Sequence, residues 1–124
     1  MPAGAIGGID ALAAAKLGGI TEVTYTMLKP PKAWQGTVAE TVINLDGLRQ
    51  AHVIFSGSAG AAATLYPKNT NVTATVALAG LGFEKTKVQL IADPEIDDNI
   101  HEISVFAETG NFSIILEGRP SSYN

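Results

Sequence analysis

"IHEISVFAETGNFSIILEG", residues 100–118, decides the fold. In its first half His101, Ile103, Val105 and Ala107 occupy alternate positions, and in its second half Phe112, Ile114 and Leu116 do the same. Successive side chains leave a strand on opposite sides, so a period of two marks a strand with one face against a core. "TGN" between the halves is a turn signal, and the whole stretch reads as an antiparallel hairpin. A hairpin is marginal alone. It needs further strands and a covering layer.

The rest of the chain supplies both. "TKVQLIA" (86–92) reads as a strand, and "HVIF" (52–55), short and apolar, as a buried one. In "ITEVTYTML" (20–28), Val23, Tyr25 and Met27 face one way and Glu22, Thr24 and Thr26 the other, the pattern of a half-buried strand. Helical signals lie around these strands. Ile6, Ile9, Leu12, Ala13 and Leu17 share a helical face over residues 6–17, which Gly18-Gly19 ends. "SGSAGAAATLY" (56–66) reads as a tight turn into an Ala-rich helix closed by Pro67. A second helix is expected from Pro67 to about Leu81, with Val72, Val76 and Ala79 on one face and Gly80 and Gly82 at its end. "KPPKAWQGTVAE" (29–40) is expected to be an irregular, mobile or partner-facing loop, because Pro30 and Pro31 suit neither a helix interior nor a central strand. Its Trp34 is either an interface anchor or an aromatic tucked onto its own domain. The sum is an α+β domain spanning residues 1–124: a mixed sheet of four or five strands with helices packed on one face.

Composition agrees with one folded domain. The chain has 124 residues, 46% of them apolar and 16% charged, against a usual charged share of roughly 25%. Such a chain buries enough apolar surface to offset its entropy, and its low charge suggests that another domain or subunit covers part of it. The net charge of −4, without a Lys or Arg run, argues against nucleic acid and membrane surfaces as partners. No stretch approaches the ~18 apolar residues of a membrane span. The opening segment lacks the basic start of a secretory signal. With no cysteines, neither disulfides nor thiolate metal sites are available, and a soluble cytoplasmic protein is expected.

Three groups of residues could carry chemistry. His101 starts a strand on its inward parity, directly after Asp97, Asp98 and Asn99. Its plain reading is a histidine packed at the sheet edge. The sharper one is a general acid or base handed to a cleft, with Asp97, Asp98 or Glu102 as a carboxylate that raises its basicity. Glu102 points to the opposite face if the strand is regular. The second group, "FSGSAGAA" (55–62), offers a helix start whose N–H groups and Ser58 hydroxyl could hold a carboxylate or phosphate. An ordinary N-cap by Ser58 is the plainer reading. The third is "PKNTNVTA" (67–74), with Lys68, Asn69 and Asn71. His52 and His101 recur at no metal-ligand spacing, so no metal is expected, and no Gly-rich dinucleotide motif is present.

Taken together, "GAIGGIDALAAAKLGGI", "SGSAGAAATLYPKNTNVTATVALAGLGF" and "NIHEI" resemble, in order and over nearly the whole chain, the carboxyl-terminal domain of L-aspartate dehydrogenase. The resemblance implies a two-domain enzyme in which an amino-terminal Rossmann domain holds NAD or NADP. The domain seen here would then supply catalysis and dimerisation. L-Aspartate would be oxidised to iminoaspartate and released as oxaloacetate and ammonia, a route linked to NAD biosynthesis. His101 of "NIHEI" would be the catalytic histidine, and Asn71 and Ala5 would contact the cofactor. Ser58 and Lys68 are separate candidates, on electrostatic grounds, for the substrate carboxylates. The amino-terminal domain and the family's last carboxyl-terminal segment are absent from the 124 residues. The isolated piece is therefore expected to be inactive and to self-associate. The alternatives are a non-enzymatic oligomerising or ligand-binding module, or a related dehydrogenase for another amino acid.

Overall fold

A computed structural model describes residues 19–69, 73, 76, 77, 80–108 and 110–118. The expected helix over 6–17, Ala5 and Asn71 lie outside the described residues. Five strands, β1 (Ile20–Lys29), β2 (His52–Ser58), β3 (Thr86–Ala92), β4 (Asn99–Ala107) and β5 (Gly110–Gly118), form one sheet in the order β2-β3-β1-β4-β5. Only β1 and β3 are parallel; every other neighbouring pair is antiparallel. The sheet is therefore mixed, as the strand and helix pattern predicts. The parallel pair requires a long connection, here the chain through β2 and the helix that follows it.

The alternation in the sequence sorts the two faces. Val23, Tyr25 and Met27 of β1, Val88, Leu90 and Ala92 of β3, and Ile103 and Val105 of β4 are all buried and in register. They form one core cluster with Trp34, Ala39, Leu45, Ala59, Ala62, Tyr66, Val76 and Ala77 from the connecting segments. The opposite face carries Glu22, Glu102, Lys87 and Ser104, and includes a Lys87–Glu22 ion pair at 2.9 Å.

Two expectations change in the 50s and 60s. β2 does not stop at Phe55: Ser56, Gly57 and Ser58 continue it, pairing with Gln89, Val88 and Lys87. The edge of β3 offers ladder hydrogen bonds along that length, and these outweigh the turn preference of Ser-Gly-Ser. A bulge between Val53 and Phe55 shifts the register and leaves Ile54 in the core. Helix α2 (Ala59–Leu65) then follows directly after the short turn α1 (Ala39–Val42) and β2 in chain order. Beyond Pro67 the chain makes a 3-10 turn over Pro67–Asn69, and Thr73, Val76 and Ala77 are helical. Gly82, at φ +89°, ends that segment with its N–H on the Ala77 carbonyl at 2.8 Å, a left-handed terminus that suits glycine.

The segment expected to be an irregular, mobile or partner-facing loop is folded back on the sheet. It forms a 3-10 turn at Pro31–Trp34 and leads into α1, and a second 3-10 turn at Leu45–Gly47 follows it. Pro31 sits in the first position of its turn, where a missing N–H costs nothing. Trp34 is wholly buried, so it is the aromatic of its own domain. No helix among the described residues is long and apolar enough to cross a membrane.

Candidate active site

β1 and β4 build the site by register. Tyr25, Met27 and Lys29 alternate on the buried face of β1, and His101 stands directly opposite Met27. The two diagonal neighbours of His101 on β1 are therefore Tyr25 and Lys29. Diagonal pairs lie roughly 7–8 Å apart at the backbone, within reach of long or aromatic side chains. Tyr25 makes that reach: its hydroxyl lies 2.6 Å from His101 Nδ1, and the two rings are near parallel at 14° with centroids 5.9 Å apart. The other nitrogen, Nε2, has no hydrogen-bond partner among the described residues, and His101 is only half-buried.

Lys29 occupies the opposite diagonal at the end of β1. Its ammonium donates to Asn69 Oδ1 at 2.6 Å and lies 5.2 Å from the centroid of the Trp34 ring. Trp34 is fixed in turn by an Nε1–H donated to the Ile91 carbonyl at 3.1 Å and by an edge contact with Tyr66. Sheet and folded-back loop thus share the work: β1 and β4 orient the imidazole, while the loop and the Asn69 turn hold the lysine.

Burial, and secondly the Lys29 charge, lower the pKa of His101 from its ordinary value of 6.5. Burial raises that of Tyr25 far above the usual phenol range, so the hydroxyl stays protonated. Burial also lowers the Lys29 pKa from 10.5. The expected carboxylate that would raise the basicity of His101 is replaced by Tyr25. Neither Asp97 nor Asp98 bonds the ring, and Glu102 pairs with Thr26 on the other face. A phenol is neutral and cannot offset the desolvation of an imidazolium as a carboxylate would, so the shift is downward.

This shift has a consequence for stability. With the folded pKa below 6.5, the unfolded chain binds more protons than the folded one as the pH falls through that range. The His101 contribution is complete above about pH 6.5 and is lost as the pH falls through the lowered folded value. Urea midpoints of the wild-type protein should fall between pH 7 and pH 5, and His101→Gln should flatten that fall. Equal slopes would show that His101 does not carry it.

The other sequence candidates lie elsewhere. Ser58 caps α2, accepting from the Ala61 N–H at 3.1 Å. It pairs with Lys87 on the edge strand β2, whereas His101 lies across β3 and β1 from that strand. Lys68 is exposed beside Asn69. His52 is exposed and borders a cavity of about 390 Å³ with Ile43, Leu48 and Arg49; His101 is not part of it. Among the described residues no group of His, Asp and Glu is arranged to hold a metal ion. Tyr25, Lys29 and Asn69 were not singled out from sequence as partners of His101. One signal was available: extending the β1 alternation by a single step puts Lys29 on the core face.

The family model "Aspartate dehydrogenase, C-terminal" matches residues 10–124, and the chain belongs to that family. It is 56% identical over 121 residues to an L-aspartate dehydrogenase of a Polaromonas species, covering 98% of this chain and 45% of that one. It is 54% identical over the same length to the L-aspartate dehydrogenase of Pseudomonas aeruginosa, again covering 98% and 45%. The crystal structure of aspartate dehydrogenase from Thermotoga maritima superposes with a TM-score of 0.75 at 37% identity, covering 92% of this chain and 43% of that one. The chain spans less than half the length of the relatives it matches.

Proposed function

We propose that this chain is the catalytic and self-associating half of an NAD- or NADP-dependent L-aspartate dehydrogenase, acting in the cytoplasm and linked to NAD biosynthesis. The observation that carries the reading is His101 gripped at Nδ1 by a buried phenol, with Nε2 free of protein partners among the described residues and a lysine on its other diagonal. That set of groups suits an anionic amino acid whose ammonium must lose a proton. It does not suit a pyrophosphate, for which the described residues hold no Gly-rich cradle. The dinucleotide is therefore assigned mainly to the family's other domain, with Asn71 and Ala5 as the contacts from this chain.

The nicotinamide, when bound, supplies the acceptor for the hydride that leaves the aspartate Cα. The protein's own residues move the protons. His101 Nε2 takes one from the substrate ammonium and releases it to solvent, then takes one from the water that attacks iminoaspartate and returns it to the amine that leaves as ammonia. In this working form Nδ1–H donates to the Tyr25 oxygen. The same bond persists when the ring becomes an imidazolium, so the ring does not have to reorient between the two steps. The depressed pKa keeps the ring unprotonated, and ready as a base, at neutral pH.

The test is an aspartate-dependent reduction of NAD or NADP, followed by absorbance, with the full-length gene product. Turnover with aspartate supports the reading. Turnover only with another amino acid moves the substrate, and no turnover at all leaves an oligomerising or ligand-binding module.

Self-association is the second part of the proposal. The face opposite the core exposes Phe106 at 43%, Ile115 at 62% and Val53 at 42%, each large and apolar. A second copy is the proposed cover for this face. Phe106→Lys combined with Ile115→Lys should lower the light-scattering mass toward one chain at micromolar concentration while leaving far-UV circular dichroism unchanged. A double variant with the wild-type mass would remove this face from the interface.

A further inference from the structure

We infer that Lys29 is the cation that holds a substrate carboxylate beside His101. The inference rests on the dehydrogenase reading and deepens it by naming the residue that selects an acidic amino acid.

The argument begins with what surrounds the ammonium. Among the described residues its contacts, the Asn69 carbonyl oxygen and the Trp34 ring, are both neutral. The one ion pair among the described residues, Lys87–Glu22, belongs to the opposite face of the sheet. Asp93, which follows β3 beside the end of β1, gives its backbone N–H to the Lys29 carbonyl and spends its Oδ1 on the Glu95 N–H at 2.9 Å. Lys29 is thus a partly desolvated cation whose partners among the described residues are neutral. A purely structural lysine in this position would lose hydration without gaining an ion pair, which is unfavourable. A carboxylate brought by a ligand supplies the missing charge.

Placement decides where that ligand lies. Lys29 and His101 share the buried face and the same end of the sheet, as diagonal neighbours across the β1–β4 pairing. A carboxylate on the ammonium leaves the rest of a short amino acid beside the ring. The Trp34 face and the Asn69 oxygen hold the Lys29 head in place without neutralising it. This fixes the geometry in advance of binding, which concentrates the charge where the ligand needs it. Ser58 caps a helix and Lys68 is exposed, so neither competes for the role on geometry.

The test uses the full-length protein loaded with dinucleotide, with succinate as a non-reacting dicarboxylate probe. Lys29→Met, which keeps the length of the stem, should weaken succinate binding about 10- to 100-fold, the range for losing one charge-assisted hydrogen bond. It should raise the KM for aspartate by a similar factor, with kcat changing much less. Lys29→Arg should recover most of the affinity. His101→Ala should bind succinate as the wild type does while losing turnover, so a failure of the Lys29 assignment is distinguishable from a failure of the dehydrogenase reading. Should Lys29→Met fail to fold, Lys29→Gln, which keeps a polar head for Asn69, takes its place. Wild-type succinate affinity and aspartate KM in the charge-removing variant would overturn the inference, as would a wild-type protein that does not bind succinate.

Discussion

Replacing His101 with alanine in the full-length protein is expected to lower kcat for aspartate ~10²–10⁴-fold, the usual contribution of a positioned general base. The KM should move little, because the imidazole acts on protons in flight and does not anchor the substrate. The structural reason is the asymmetry of the ring. Nδ1 is engaged by the Tyr25 hydroxyl at 2.6 Å and Nε2 has no partner among the described residues, so one nitrogen orients the group and the other can work. Tyr25→Phe is the matched control. It keeps the ring in the core, removes one hydrogen bond worth about 0.5–1.5 kcal/mol, and should cost at most roughly tenfold in rate. A His101→Ala variant with near wild-type kcat would return the residue to a packing role at the sheet edge. Steady-state rates across a range of aspartate concentrations separate these outcomes.

Much of this arrangement was legible from residues in isolation, because the sheet is written in a period of two. The hairpin of β4 and β5, the strand β3 and the inward parity of Val23, Tyr25 and Met27 follow from alternation alone, and the structure has them in register. His101 also followed, since it shares the parity of Ile103 and Val105. What alternation cannot supply is which strand lies beside which. Local sequence offers His101 the nearby acids Asp97, Asp98 and Glu102 as partners. The structure supplies the partner from Tyr25, 76 positions away, through the antiparallel pairing of β1 with β4. Lys29 was hidden for a related reason. It follows the last apolar residue of β1 and precedes two prolines, so locally it looks like the start of a loop. Ser56-Gly57-Ser58 shows the converse error, a local turn signature overridden by the edge of a neighbouring strand. In each case the decisive contact is long-range, and local propensity is blind to it.

Trp34 links the stability of the domain to the site. Trp34→Ala is expected to destabilise the 124-residue chain by ~3–5 kcal/mol, the usual cost of deleting a buried large aromatic. The corresponding fall in melting temperature is roughly 10–25 °C for a domain of this size. Three losses combine. The side chain is wholly buried in the main cluster, its N–H satisfies the Ile91 carbonyl of β3, and its edge supports Tyr66. Trp34→Phe should cost less, because an aromatic remains to fill most of the space and the main loss is the hydrogen bond to Ile91. Calorimetry on the two variants checks the order. A Trp34→Ala chain melting within a few degrees of wild type would mean that the folded-back loop is not part of the core. The same ring lies 5.2 Å from the Lys29 ammonium, so Trp34→Phe has a second expected effect in the full-length protein. A smaller π-face holds the cation less firmly, and the KM for aspartate should rise with kcat nearly unchanged. The proline-led segment, which looks the least structured part of the sequence, is then the piece that fixes both the core and the charge beside the strand of His101.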